Sequence, residues 1–196
     1  YNRRLRKLNN GNVVLLSGTN RQDEFTFTGA AYTPPPGVYA SLIQNPDGTW
    51  TLTEAHGQKQ AFDVDGKLTA VVDRHSNTLS FTYDPAGLLP ISGPSAYFVN
   101  QTTGIIARDF RLIAITDPVG RQLALTYNAD GRLATITDWT TRTWTYDYDL
   151  QGTLISVTDP QGHTTTYAYD ANHNLTSMTA PNQQPTGPPY VTNVYD

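Results

Sequence analysis

The chain contains no cysteine, so neither disulfides nor thiolate metal sites take part in it. Charge is scarce as well: Asp, Glu, Lys and Arg make up 15% of the 196 residues, where about 25% is usual for a soluble domain. The formal net charge is -4 and no basic run exists, which argues against a nucleic-acid partner. No stretch reaches the roughly 20 apolar residues of a membrane span, and no signal-peptide pattern is present. No segment sustains an apolar period of 3.6 residues, so long amphipathic helices are not expected. Gly (15), Pro (13) and Tyr (12) are abundant instead, a mix that favours many short strands joined by tight turns. The chain begins at Tyr1 without Met and stops at Tyr195-Asp196, which reads as a piece of a longer polypeptide.

The sequence repeats itself. Tyr148-Asp149-Leu150-Gln151-Gly152-Thr153-Leu154 is matched by Tyr127-Asn128-Ala129-Asp130-Gly131-Arg132-Leu133, by Tyr83-Asp84-Pro85-Ala86-Gly87-Leu88-Leu89 and by Phe62-Asp63-Val64-Asp65-Gly66-Lys67-Leu68. Weaker copies start at Tyr169-Asp170, keeping Leu175, and at Ile106, keeping Leu112. The unit starts, 62, 83, 106, 127, 148 and 169, lie 21, 23, 21, 21 and 21 residues apart, and a Leu stands six residues into every unit. Chance does not place one residue type six times on one ruler. The residues expected to carry the repeat structurally are therefore Phe62, Asp63, Gly66, Leu68, Tyr83, Asp84, Gly87, Leu89, Leu112, Tyr127, Gly131, Leu133, Tyr148, Asp149, Gly152, Leu154, Tyr169, Asp170 and Leu175.

Each unit reads as two strands and two turns. The first turn holds Gly66, Gly87, Gly131 or Gly152, and Asp65-Gly66 and Asp130-Gly131 are favoured hairpin pairs. The second turn is clearest at Asp117-Pro118-Val119-Gly120 and Asp159-Pro160-Gln161-Gly162, where Asp, Pro and Gly suit the first, second and fourth positions of a type I turn. The second strand alternates. Leu79, Phe81 and Tyr83, then Leu123, Leu125 and Tyr127, then Trp144, Tyr146 and Tyr148, share one face; Ser80, Thr126, Thr145 and Thr166 lie on the other. The aromatic face should be covered and the Thr face wet. In the first strand Leu133 and Ile136, three apart, break the alternation, which calls for a bulge or for a Leu at the edge of the turn.

Two stretches interrupt the ruler: an elaborated loop near 90–105 and a Pro-rich loop at 181–189. Residues 1–61 lack the Tyr-Asp ruler but keep the texture, with turn signals at Asn10-Gly11, Asn45-Pro46-Asp47-Gly48 and His56-Gly57 between short alternating runs. The division is thus 1–61, a β-rich region preceding the repeats, and 62–196, the repeats. The strand rich in β-formers from Tyr190 to Tyr195 should be paired, since it carries little protective charge.

Catalytic signatures are absent from the pattern. His56, His75, His163 and His173 show no metal-ligand spacing. Asp63-Val64-Asp65-Gly66 lacks the downstream Glu of a calcium loop and reads as a hairpin turn. Ser17-Gly18 and Ser92-Gly93 lack a nucleophile elbow. No catalytic, cofactor-binding or metal-ligating residue is assigned. Trp144, Tyr146, Tyr148, Tyr167 and Tyr169 would stack on sugar rings if exposed; core packing is the simpler reading.

These motifs resemble the YD-repeat, or Rhs (rearrangement hotspot), family, whose units run Tyr-Asp-x-x-Gly-Arg-Leu, then a Thr-Asp-Pro-x-Gly turn, then an alternating strand. The residues that carry the resemblance are Gly131-Arg132-Leu133, Ile136-Thr137-Asp138, Val157-Thr158-Asp159-Pro160 and Tyr169-Asp170. Tyr1-Asn2-Arg3-Arg4-Leu5 and Leu52 to Phe62 resemble the β region that precedes such repeats. The resemblance implies an all-β fold of antiparallel hairpins in a spiralling sheet. It also implies a shell like those of bacterial Rhs proteins and toxin-complex C components, which enclose a C-terminal toxin, or of the teneurins, which act in adhesion. It implies a secreted or cell-surface setting and no enzymatic activity. Expected partners are flanking repeats of the parent chain, or copies of the chain through open sheet edges. A carbohydrate- or protein-binding module and a self-assembling β-structure are the competing readings. The self-cleaving aspartyl segments of some family shells have no match here, because Asp117 and Asp159 sit on the repeat ruler as turn residues.

Overall fold

A computed structural model describes residues 3–18, 21–84, 111–181, 188–189 and 191–194. They hold seventeen strands and no α-helix, and the strand pairings are antiparallel. Gly87, Leu89 and the loop at 90–105 lie outside the described residues, as does most of the Pro-rich loop.

Contacts divide the chain into two compact units, one built on residues up to Tyr83 and the other chiefly on residues from Gln122 onward. The first contains β1 (Arg4–Lys7), β2 (Val13–Leu16), β3 (Gln22–Phe27), β4 (Tyr32–Thr33), β5 (Ala40–Gln44), β6 (Trp50–Glu54), β7 (Lys59–Phe62), β8 (Leu68–Val72) and β9 (Thr78–Tyr83), each paired with the next. This meander returns on itself. The Leu5 N–H donates to the Gly66 carbonyl at 2.8 Å, and Arg4 bridges to Lys67. β1 is thereby docked on the turn between β7 and β8. The enclosed side chains form a true core: Val13, Phe25, Leu52, Phe62 and Leu68 are all less than 2% exposed. Burying one such large side chain contributes about 1.5–3 kcal/mol.

The second unit contains β11 (Gln122–Tyr127), β12 (Leu133–Thr137), β13 (Thr143–Tyr148), β14 (Leu154–Thr158), β15 (Thr164–Tyr169), β16 (Leu175–Thr179) and β17 (Val191–Thr192), again paired in sequence. β10 (Leu112–Thr116) is divided between the two units. Within the expected strand at 190–195 the described residues are 191–194, of which β17 is strand and pairs with β16 through Ser177↔Thr192 and Met178↔Val191.

The two faces of the second unit follow the alternation. Leu125, Ile136 and Trp144 stand opposite one another across three strands on one side, and Thr126, Thr135 and Thr145 on the other. Hydroxyl pairs knit the Thr side: Thr126 with Thr135 at 2.7 Å, Thr137 with Thr143 and Thr158 with Thr164 at 2.9 Å. Burial departs from expectation. Phe81 is buried beside half-buried Ser80, and Tyr127 is half-buried beside exposed Thr126, as anticipated. Tyr146 and Tyr167, however, are half-buried to the same degree as Thr145 and Thr166. Alternation assigns side chains to faces, but it does not supply a second layer, and in β13 and β15 the aromatic face is only half covered.

The three-residue spacing of Leu and Ile is resolved by a bulge. Tyr127 pairs with Leu133 while Thr126 pairs with Thr135, so Ala134 is the extra residue. The same shift recurs at Phe62↔Leu68, Tyr148↔Leu154 and Tyr169↔Leu175. One inserted residue per hairpin brings Leu133 and Ile136 onto the same face and adds local twist.

Candidate functional site

The repeated residues converge on one arrangement, a clasp between consecutive units. Its base is the Asp or Asn that follows the aromatic residue. Asp63 Oδ1 accepts from the Asp65 and Lys67 backbone N–H groups at 3.0 and 2.8 Å. Asn128 accepts from the Arg132 N–H, Asp149 from the Thr153 N–H, and Asp170 from the Asn172 and Asn174 N–H groups. A side-chain acceptor aimed at its own turn is what makes Asp and Asn turn formers. The Asp84 N–H donates to the Arg111 carbonyl at 2.8 Å.

The glycines close the turn and leave room for a neighbour. Gly66 has φ +80 and Gly131 φ +81, a region where a Cβ clashes with its own backbone. A Cβ on Gly66 would overlap the Leu5 carbonyl oxygen, and one on Gly131 would overlap the Arg111 guanidinium. Arg132 lies against Gly152 in the same way.

The cation and the tyrosine complete the clasp. Arg111 lies 5.3 Å from the Tyr127 ring centre, Arg132 5.9 Å from Tyr148, and Lys67 5.7 Å from Tyr83, distances at which a cation is attracted to an aromatic face. The Tyr83 hydroxyl donates to the Leu68 carbonyl at 2.8 Å and the Tyr127 hydroxyl to the Leu112 carbonyl at 2.7 Å. The Lys67-Leu68 and Arg111-Leu112 pairs thus each offer a cation and a carbonyl to the tyrosine of the next unit, and Arg132 offers its cation to Tyr148. Sequence reasoning found Gly, Leu and Tyr but gave Lys67, Arg111 and Arg132 no role. Their shared position five residues into the unit was the available signal. Burial raises the pKa of Tyr83, helped by the Asp63 carboxylate, and burial raises that of Tyr148 against the opposing pull of Arg132.

The second turns use a parallel device. Asp73, Asp117, Asp138 and Asp159 each accept backbone N–H groups two and four residues ahead through Oδ1. Oδ2 takes a side chain: Asn77, Arg121, Arg142 or His163. Asp117 and Asp159, the residues of the Asp-Pro turns, are therefore caps. Asp138 is the extreme case, 6% exposed in a sheet with little core. Burial pushes its pKa up, but the Thr140 hydroxyl, the Arg142 guanidinium and the N–H groups of both residues outweigh it and carry it down to about 2. Ser76 and Thr141 hold φ of 68 and 67 in turns of this kind, where Gly120 and Gly162 stand in other units, and His173, φ 64, takes the glycine place of a first turn.

No group of three or more metal-ligating side chains occurs among the described residues. The Lys67 ammonium sits 3.0 Å from Asp63 and 3.7 Å from Asp65, between the two carboxylates of the calcium-like segment. His75, His163 and His173 sit in separate turns of the repeat units, and His56 in the turn that leads into β7. A shallow cleft of about 250 Å³ in the first unit holds Glu54 and Asp23, paired with Arg3 at 2.8 Å and Arg21 at 3.0 Å. Glu54 Oε1 also accepts from Gln60 Nε2 at 2.8 Å, while the buried Gln60 Oε1 has no partner among the described residues. The repeated carboxylates are occupied inside their own turns, an arrangement suited to holding a backbone.

A site of this kind defines a class, the antiparallel hairpin-repeat proteins whose units are clasped across a step of about 21 residues. More particularly, the RHS Repeat family model matches residues 107–143 and 148–185, and the chain carries RHS repeats in these two stretches. No curated protein matches the sequence. Among solved structures the chain is similar to TcdB2-TccC3, with 18% identity and a TM-score of 0.45, and to TcdB2-TccC3-TEV, with 18% and 0.46. Each match covers 86% of this chain and 9% of the other. The Tc holotoxin pore of Photorhabdus luminescens with a TccC3 variant is similar at 16% identity and a TM-score of 0.36, over 86% of this chain and 11% of that one. The chain thus spans about a tenth of the length of these structures.

Proposed function

We propose that this chain is a wall segment of an RHS-type β-shell that encloses or carries a passenger lying outside these residues, in an exported or surface-displayed protein. Residues 1–61 precede the repeats in this reading and 62–196 carry them. The role is architectural and not enzymatic. The observation that supports it most is the clasp, which joins successive described units through cation, tyrosine and carbonyl and holds its acids inside their own turns. The partners are then the flanking repeats of the parent chain, or copies of it at an open sheet edge. The test is excision of one repeat, residues 127–147, from the full-length parent. Loss of protease protection of the passenger segment, with the remaining repeats still folded, is the supporting result. An unchanged digestion pattern rules against enclosure. Incubation of the purified chain should leave its mass intact, and fragmentation abolished by Asp117→Asn or Asp159→Asn would overturn the non-enzymatic role.

A second reading has one observation in its favour. Trp144, Tyr146 and Tyr167 are half-buried, so part of the aromatic face is open to a carbohydrate or protein surface. Quenching or enhancement of Trp fluorescence on titration with soluble polysaccharides, lost in Trp144→Ala, separates this reading from the first.

A further inference from the structure

Asn10 is the one asparagine in the sequence that precedes glycine, and its surroundings favour loss of its side-chain amide. The residue is exposed in the turn between β1 and β2. The Asn12 backbone N–H donates to Asn10 Oδ1 at 3.0 Å, which draws electron density from Cγ and supports negative charge on that oxygen as a nucleophile adds. The amide nitrogen on the same carbon is the group that must depart. The next residue, Gly11, has no Cβ to obstruct approach of its backbone nitrogen. One restraint opposes this: the Gly11 N–H is held by the Leu8 carbonyl at 3.0 Å, so reaction follows each opening of that bond.

The other described asparagines lack this combination. Asn45 precedes Pro46, which has no N–H. Asn12 precedes the fully buried Val13, and its side chain is tied to Glu24 and to the Phe27 N–H. Asn77 and Asn174 donate their amide hydrogens to Asp73 and Asp170. Asn128 precedes Ala129, whose Cβ obstructs approach of its backbone nitrogen.

We propose that Asn10 is a self-modification site. The Gly11 nitrogen loses its proton to water or hydroxide and bonds to Asn10 Cγ. The Cγ–Nδ2 bond breaks, and the nitrogen leaves as ammonia, taking a proton from solvent. The resulting five-membered succinimide adds water at either carbonyl. Opening on one side gives aspartate. Opening on the other gives isoaspartate, in which the main chain runs through Cγ and gains one carbon. No electron transfer occurs, and water is the sole co-reactant.

The position gives the change a structural consequence. The turn sets the register in which Lys7 faces Val13 and Arg4 faces Leu16. β1 carries Leu5, whose N–H closes the first unit on Gly66. An extra backbone carbon at residue 10 therefore loosens that closure, slowly and in one direction.

The experiment incubates the intact chain at neutral and mildly alkaline pH, with peptide mapping by mass spectrometry and an ammonia assay, and uses a urea-unfolded sample as the positive control. The expected result is ammonia release with aspartate and isoaspartate at residue 10, faster at the higher pH, no conversion at Asn9, and complete loss of the reaction in Asn10→Gln. Hydrogen exchange of the aged chain should show lost protection at the Leu5 amide, and freshly made Asn10→Asp, which keeps the normal linkage, should retain it. Conversion of the unfolded sample with none in the folded chain would overturn the proposal, as would equal conversion at Asn9 and Asn10.

Discussion

The two units of this chain are made from the same hairpins, yet among the described residues the buried apolar side chains gather almost wholly in one of them. Of the twelve buried apolar residues among those described, eleven precede residue 84 and the twelfth is Ala114. The first unit returns on itself through Leu5 and Gly66, so one face of its sheet is enclosed. The second is held chiefly along its strands and turns, by ladder bonds, Asp caps, hydroxyl pairs and the Tyr–cation clasp. Hairpin repeats therefore separate two tasks that most domains combine. Local order comes from the turns, and apolar burial arrives only when the sheet meets another surface.

The largest test of that contrast is truncation. Phe25→Ala should cost about 3–5 kcal/mol in urea unfolding, as for a large core side chain. Ile136→Ala in β12 should cost less than half as much, because Ile136 is half-buried. Equal losses would mean that the second unit has a core after all.

Glycine substitution sharpens the comparison next. Gly66→Ala should destabilise by roughly 3 kcal/mol, combining the left-handed backbone with overlap onto the Leu5 main chain, which cannot step aside. Gly131→Ala should cost about 1–2 kcal/mol, because the obstacle there is the end of the flexible Arg111 side chain. The check is the ratio of the two values, measured by chemical unfolding. If Gly131→Ala proves the costlier, Arg111 is a fixed strut and not a movable cover.

Much of this was legible in the sequence, and the limits have physical causes. The period, the Gly turns and the two faces follow from local rules, since positive φ and alternation are properties of neighbouring residues. The bulge could be posed as one of two solutions to the spacing of Leu133 and Ile136 but not chosen, because it depends on which residue of the partner strand Leu133 faces. Arg111 and Arg132 act on tyrosines and glycines about 16 to 20 residues away, beyond the reach of any local rule. The half-exposure of Tyr146 and Tyr167 was missed because periodicity tells which face is apolar and not whether anything lies over it.

Smaller effects should appear in the turns. Thr141→Gly should raise stability by about 1 kcal/mol, since a β-branched residue at φ 67 is strained and glycine is not. A lower melting temperature would show that the Thr141 side chain holds something the backbone argument omits.

Acid should act on the caps last. Asp138 has a folded pKa lowered from 3.8 to about 2, so the stability it contributes is complete above its unfolded pKa and is lost as pH falls through about 2. An acid titration of the second unit by hydrogen exchange should show weakening between about pH 4 and about pH 2, and the weakening should shrink in Asp138→Asn. Asp159 and Asp170 are also lowered and should add in the same direction there, as Asp73 and Asp117 do in the first unit.

The clasp also bears on how such a chain can change over generations. Each Asp cap lies wholly within its own turn, and the Tyr83 and Tyr127 hydroxyls each reach a leucine carbonyl 15 residues earlier in the chain. A genetic exchange between matching points of two such units therefore rebuilds the same joint at the seam. Gain or loss of whole repeats keeps each cap with its own turn; extra residues are accommodated between strands, as the 23-residue step and the loop between β16 and β17 show, whereas residues inserted inside a turn displace its cap. The wall can lengthen or shorten by copying, and selection needs to inspect only what the finished length encloses.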